Sequence, residues 1–266
     1  MGGLVLNYIL RLDHLFANRK SLDLNSLTSI EGTAIAIIAC YVKSRYEIIQ
    51  RYKIELEEIG FNVVTVLNTQ KVEPETNLVQ KYDLYRSNLG FDLGMHRDVL
   101  RKIDQRNSTG IELLLLNDSM FYGESSLNEL VKMLRQRKSQ RIYTITASGQ
   151  HRHHLQTFFI YAQFTSENFN KFKMVFEHFK NWRFKRSAVI FGEKRLVHYL
   201  NKSGLDSEGL WTTKNLQNIK NSQCQKCNSF SKIDSRLINP TTHLLHKLSV
   251  YGLNIDKFSN IDTSLQ

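Results

Sequence analysis

Short apolar runs alternate along this chain with stretches in which apolar side chains recur every three or four positions. The first run, TAIAIIACYV, has the length of a strand and no polar break, the pattern of a strand buried on both faces. SRYEIIQRYKIELEEIG follows with apolar residues at helical spacing and ends on Gly60, a natural helix stop. FNVVTVLN, rich in valine, predicts a second strand, and NLGFDLGMHRDVLRKI reads as a glycine-bearing loop running into a helix. IELLLLN predicts a third buried strand, and SSLNELVKMLRQRK an amphipathic helix with a basic end. RIYTITA alternates like a strand, and HLQTFFIYAQF is an apolar run consistent with another. Strands alternating with helices predict an α/β sandwich around a mostly parallel central sheet. No internal repeat is visible.

The two ends of the chain differ from this body. Residues 1–33 predict a short amphipathic helix, with Leu4, Leu6, Ile9, Leu10 and Leu12 among polar positions, and then a polar connector. Such a helix either packs on the body or lies on a membrane surface. From about residue 206 the sequence turns polar, and NLQNIKNSQCQKCNSFSKIDS reads as a long loop. NPTTHLLHKLSVYGLNIDKF restores a helix, with Asn239 as N-cap, Pro240 in the first turn and Gly252 at the end. The predicted organisation is a helix and connector over 1–33, an α/β domain over 34–205, and a polar loop with a helical extension over 206–266.

Charge and cysteine content narrow the setting. Lys and Arg outnumber Asp and Glu by 36 to 25, a net charge of +11. That surplus favours polyanionic company: nucleic acid, an anionic membrane surface, or phosphorylated small molecules. No nucleic-acid recognition motif accompanies it, so nucleic acid is not an expected partner. Three cysteines make no disulfide framework and fit a reducing compartment. The opening MGGLVLNYILRLDHLF is interrupted by Asn7, Arg11 and Asp13, unlike a signal peptide, and no uncharged apolar run reaches spanning length. The expectation is a cytoplasmic protein whose membrane contact is peripheral, at the inner face of the plasma membrane.

In an open parallel sheet, ligands bind beyond the carboxyl ends of the strands. LLLLNDSMFYG delivers Asn117, Asp118 and Ser119 to such an end. A carboxylate there can position a divalent cation, Mn or Mg, against a diphosphate, though Asn, Asp and Ser are also ordinary turn formers. In IFGEKRLVHYLNKSGL, Glu193 opens a predicted helix with Leu196, Leu200 and Val197 on its buried stripe and Gly204 at its close. Standing alone, Glu193 would be read as answering the helix macrodipole.

Five segments, RSNLGFDLGMHRDVL, LLLLNDSMFYG, HLQTFFIY, GEKRLVHYLNKSGL and NPTTHLLHKL, occur in an order and spacing that resemble the rhamnan synthesis protein F family. The likeness spans roughly residues 35–260 and rests on several motifs in sequence. These are bacterial glycosyltransferases of rhamnose-rich surface polysaccharides and O-antigens. The resemblance implies a GT-A (Rossmann-like) fold, a nucleotide-sugar donor, and a lipid-linked glycan acceptor. Many inverting GT-A enzymes carry a metal-binding Asp-x-Asp at a strand end. Here Asn117 and Ser119 take those two positions, with Asp118 between them, which puts metal dependence in question. The same superfamily has a Glu-Asp pair heading a helix, with a leucine three residues on and a glycine eleven residues on. Glu193, Leu196 and Gly204 keep that spacing, while Gly192 replaces the first acid. Glu193 is thus the candidate general base, taking the proton of an acceptor hydroxyl in an inverting transfer.

For the donor, Tyr41 could stack on the base and Asn68 bond the base or ribose. Arg86 and Asp92 flank the glycine-bearing loop, in reach of phosphate or ribose. His154 and Gln156 fall on the family's His-Leu-Gln segment, as donor or acceptor contacts. A metal reading of His151, His153 and His154 is disfavoured, since they adjoin or alternate without an acidic partner. Cys224, Cys227, His243 and His246 nearly match a zinc pattern, but the histidines are too close. The expected function is inverting transfer of a sugar, with rhamnose from a dTDP donor as the family's suggestion. The competing expectation is a degenerate GT-A scaffold without activity.

Overall fold

The computed structural model describes residues 2–19, 29–41, 46–69, 82–104, 110–118, 120–122, 126–137, 140–148, 154–155, 157–212 and 230–232. In chain order the elements are α1 (Gly2–Phe16), β1 (Ala34–Cys40), α2 (Tyr46–Glu57), β2 (Asn62–Thr69), β3 (Leu84–Ser87), α3 (Phe91–Leu100), β4 (Gly110–Asn117) and β5 (Met120–Tyr122). Then follow α4 (Ser126–Arg135), β6 (Ile142–Ser148), β7 (His154–Leu155), β8 (Phe159–Thr165) and α5 (Ser166–Phe176). The last are α6 (Lys185–Ala188), a π-helical turn (Val189–Glu193), α7 (Lys194–Lys202), β9 (Ser207–Thr212) and β10 (Phe230–Lys232). Among the described residues no helix is long and apolar enough to cross a membrane.

The three apolar runs read as buried strands lie side by side. β1 is central and parallel to β2 on one side, with Ala39 opposite Val66, and to β4 on the other, with Ala39 opposite Asn117. β3 continues the parallel half beyond β2. The other half is mixed: β8 is antiparallel to both β4 and β6, and β6 pairs antiparallel with β7 and parallel with β9, so the sheet as a whole stays mostly parallel, as expected. The result is an eight-stranded mixed sheet in a Rossmann-like α/β sandwich. HLQTFFIYAQF is not one strand, because a turn at Thr157 and Phe158 separates β7 from β8. The sheet also takes in β9, past the composition change at 206, while β10 pairs with β5 in a small separate ribbon.

Strand alternation divides the core into two layers. Ile35, Ile37, Ala39, Leu113 and Leu115 join one cluster with Leu93, Val99, Phe172, Phe176, Trp182, Leu196 and Leu200, so α3, α5 and α7 cover that face. Ala36, Ile38, Cys40, Leu114 and Leu116 join the other with Ile49, Leu56, Leu127 and Leu134, so α2 and α4 cover the opposite face. Both layers are needed because β1 and β4 are apolar at successive positions and must shed water on both sides.

Candidate functional site

The carboxyl ends of β1 and β4 open onto a cavity of about 320 Å³. Tyr41, Asp92, Asn117 and Glu193, four of the residues singled out in the sequence, line it together, with Lys185 and Thr157 beside them. They come from four separate segments: the residue after β1, the first turn of α3, the last residue of β4, and the π-helical turn. Asn88, Phe91, Leu93, Phe158, Ala188 and Val189 complete the walls.

Three of the four candidates are locked to one another. The Tyr41 hydroxyl donates to Asp92 Oδ1, and Asn117 Nδ2 donates to Asp92 Oδ2 at 2.7 Å. Burial, then the neighbouring Asp92 charge, holds the Tyr41 phenol well above its ordinary pKa, so it stays a proton donor. Asp92 reaches this position because the chain turns sharply into α3 at Gly90. That residue has φ 75°, and a Cβ there would sit 2.6 Å from the Lys180 carbonyl. Its N–H also donates to the Trp182 carbonyl at 2.8 Å, so Gly90 is wanted both for its positive φ and for the close approach.

Asp118 does not take the place expected of it. Asn117 follows Leu113 and Leu115 on the face of α3 and α7, whereas Asp118 follows Leu114 and Leu116 onto the opposite one. Its carboxylate accepts the Tyr41 backbone N–H at 2.8 Å, its own N–H donates to the Ala39 carbonyl, and it is absent from the cavity wall. Period-two alternation in LLLLND was the signal that assigns the wall to Asn117. Ser119 lies outside the described residues.

The setting of Glu193 also differs from the expected helix start. Helical backbone runs on from α6 through the π turn into α7, so Glu193 stands inside a helical run and the macrodipole reading loses its basis. Leu196 and Leu200 are buried as expected, Val197 packs at the edge of the core, and Gly204 has the left-handed φ of 70° that suits a helix end. Gly192 has a packing reason for replacing an acid: a Cβ there would lie 2.5 Å from Leu93 Cδ1 and 3.1 Å from the Trp182 ring.

Asn68 and Arg86 do not line the cavity. Both are buried and face each other across β2 and β3. Arg86 Nη2 donates to the Leu89 carbonyl at 2.7 Å and pairs with Asp98 at 3.3 Å, and Asp98 also holds Arg97. Burial, partly countered by Asp98, lowers the Arg86 pKa to about 10. Both side-chain atoms of Asn68, and Nε and Nη1 of Arg86, have no hydrogen-bond partner among the described residues. His154 is described only through its backbone in β7; His151, His153, Gln156, Cys224, Cys227, His243, His246 and the helix expected from Asn239 to Gly252 lie outside the described residues.

The residue that sequence reasoning passed over is Lys185. It belongs to NWRFKR, a basic segment that reads as a solvated face or as a contact with anionic lipid, and only the packing of α6 brings it to the cavity. Asn88 and Thr157 stood inside the quoted segments RSNLG and HLQT without being picked out.

The described carboxylates do not fit a divalent metal. Both Asp92 oxygens already accept hydrogen bonds and Asp118 is on the other face, so Glu193 is the one other carboxylate at the cavity wall, too few for a hard cation. Among the described residues no group of three or more His, Cys, Asp or Glu could hold such an ion.

No known protein-family profile matches the chain. It is 27% identical over 106 residues to an uncharacterized protein, y4gN, of Sinorhizobium fredii (strain NBRC 101917 / NGR234). That match covers 38% of this chain and 28% of the relative, so the chain spans well under two thirds of the relative's length. The relative's name states no activity.

Proposed function

We propose that this chain is an inverting GT-A-type glycosyltransferase that moves a sugar from a nucleotide donor to a lipid-linked surface polysaccharide. Rhamnose from a dTDP donor is the sugar the family resemblance suggests. The observation that carries the reading is the convergence of Tyr41, Asp92, Asn117 and Glu193 on one cavity at the carboxyl edge of parallel strands.

In this mechanism the Glu193 carboxylate takes the proton of an acceptor hydroxyl as that oxygen bonds to the anomeric carbon. The bond from that carbon to the nucleoside diphosphate breaks on the opposite face, and the configuration inverts. The Tyr41–Asp92–Asn117 network is a fixed wall against which the sugar is oriented, its geometry set before the substrate arrives. The Lys185 ammonium offsets the charge that develops on the departing diphosphate. No step is routed through a metal, because Asp92 and Asp118 are engaged within the protein.

Glu193→Gln tests this. It keeps size and hydrogen-bonding capacity but cannot accept the proton. The variant should fold and bind donor nearly as the parent does, while turnover falls by about two orders of magnitude or more. Unchanged turnover would remove Glu193 from catalysis. The second reading, a scaffold derived from such an enzyme, is favoured by the cavity wall carrying Glu193 as its one acid besides the hydrogen-bonded Asp92. Absence of turnover by the parent protein with every nucleotide sugar, despite donor binding, would select it.

A further inference from the structure

α1 carries its apolar face on the outside. Val5, Tyr8, Ile9, Leu12, Leu15 and Phe16 recur every three to four positions and so share one side of the helix. Phe16 is 81% exposed, Leu15 68% and Tyr8 63%, and Val5 and Ile9 are exposed as well. The opposite side, Leu10, Asp13, His14 and Ala17, holds the helix to the body. Leu10 is buried and Ala17 packs on the core. The Asp13 carboxylate accepts the backbone N–H groups of Arg183 (3.0 Å) and Phe184 (3.3 Å). Lys180 Nζ donates to the His14 carbonyl at 2.7 Å, and the His14 ring stacks on Phe191 at 4.1 Å. The helix is therefore clamped with its apolar stripe turned outward, next to the exposed Phe184.

Cations predominate among the described charges on and beside this helix. Arg11, Arg19, Arg183, Lys185 and Arg186 are all exposed, and the helix's one carboxylate, Asp13, is consumed by the clamp. The His14 pKa is lowered by burial and then by Lys180, Arg195 and Arg19, which places a positive field over the same region. The patch reaches the candidate active site at Lys185, which lines the cavity, and on the clamp side Phe191, under His14, lies two residues before Glu193.

We propose that the outward face of α1, with Phe184 and the basic segment 183–186, docks on an anionic lipid bilayer and lays the cavity beside the membrane surface. A helix of 15 residues is only about 22 Å long, too short to span but suited to lie in the interface with aromatic and aliphatic side chains inserted. Exposed cations at its flank meet anionic headgroups there. A second copy is the weaker occupant, because the two patches would bring five exposed cations each into contact without a free acid from α1 to answer them. The inference gains its purpose from the lipid-linked acceptor in the proposed function, but it is tested without donor or acceptor, so either can fail alone.

The experiment is co-sedimentation of the full chain with vesicles of phosphatidylcholine alone or with about a third phosphatidylglycerol. Binding to the anionic vesicles should be at least about tenfold stronger and should weaken on adding salt. Leu15→Ser with Phe16→Ser, and separately Arg183→Glu with Arg186→Glu, should each lower it by about tenfold or more, with melting temperatures near that of the parent. Tyr8→Trp keeps the face apolar and supplies a reporter whose emission should shift to the blue on anionic vesicles. Absence of vesicle binding, binding that the variants leave unchanged, or a Tyr8→Trp signal insensitive to lipid would each overturn the proposal. So would a dimer by light scattering that Phe16→Ser dissolves, which would assign the face to a second copy.

Discussion

His96 sits at the centre of α3 with no exposed surface, and neither ring nitrogen has a partner among the described residues. Burial lowers its pKa from 6.5 to about 4, so the ring is neutral in the fold at neutral pH. The unfolded chain, titrating near 6.5, takes up a proton that the fold refuses. Its contribution to stability is therefore whole above pH 6.5 and declines as the pH falls towards 4. Over that window the loss is on the order of 3 kcal/mol, at about 1.4 kcal/mol per pH unit. His96→Leu removes the titration while keeping an apolar side chain against Phe176. Denaturant unfolding at about pH 7.5 and 4.5 should show the variant losing roughly 2 kcal/mol less than the parent between the two. Equal losses would mean that the buried ring is not what makes this region acid-sensitive.

At the scale of elements, the π-helical turn is set by what it packs on. Leu93 of α3 and Trp182 leave Gly192 no room for a side chain, and Trp182 is itself fully buried. Gly192→Ala must push Leu93 aside and should destabilise the fold by about 1–3 kcal/mol. Gly192→Asp, which would restore an acidic pair, adds an uncompensated carboxylate among apolar atoms and should be worse still. Chemical denaturation of the three proteins measures this, and a Gly192→Asp protein as stable as the parent would refute the close-packing account.

The same packing explains what was legible in the sequence. The runs of β1, β2 and β4 were readable because strands buried on both faces have no polar alternation, and the α2 crossover sets β2 beside β1, while β4 takes the other side of β1 after a much longer path through β3 and α3. The direction of β8 was not readable, since an apolar run looks alike whether its neighbour is parallel or antiparallel. Asp92 was picked out as a flank of the glycine-bearing loop and Glu193 through its spacing to Leu196 and Gly204, and the structure brings both to the cavity. Asp118 was misjudged, although strand alternation separates it from Asn117. Lys185 was hidden because its position depends on how α6 lies against α3, which no local pattern encodes.

For the molecule as a whole, the net charge of +11 and the lysine at the cavity are what a donor's diphosphate would meet under the proposed function. A ligand that binds only the folded state stabilises all of it, by about 2.7 kcal/mol at a hundred times its dissociation constant. For a domain of this size that corresponds to a rise in Tm of roughly 5–10 °C. Saturating dTDP or UDP should produce such a rise equally with EDTA and with manganese, because Asp92 and Asp118 are already engaged within the protein. Lys185→Met should reduce the rise by half or more. Salt should reduce it too, since a lysine exposed at the cavity is screened within about 10 Å at 0.1 M. Stabilisation that appears only with manganese would show that a divalent ion belongs to the site after all. Failure of every nucleoside diphosphate to raise Tm would remove the nucleotide-sugar donor from the proposed function, while leaving the membrane-facing helix to be judged on its own.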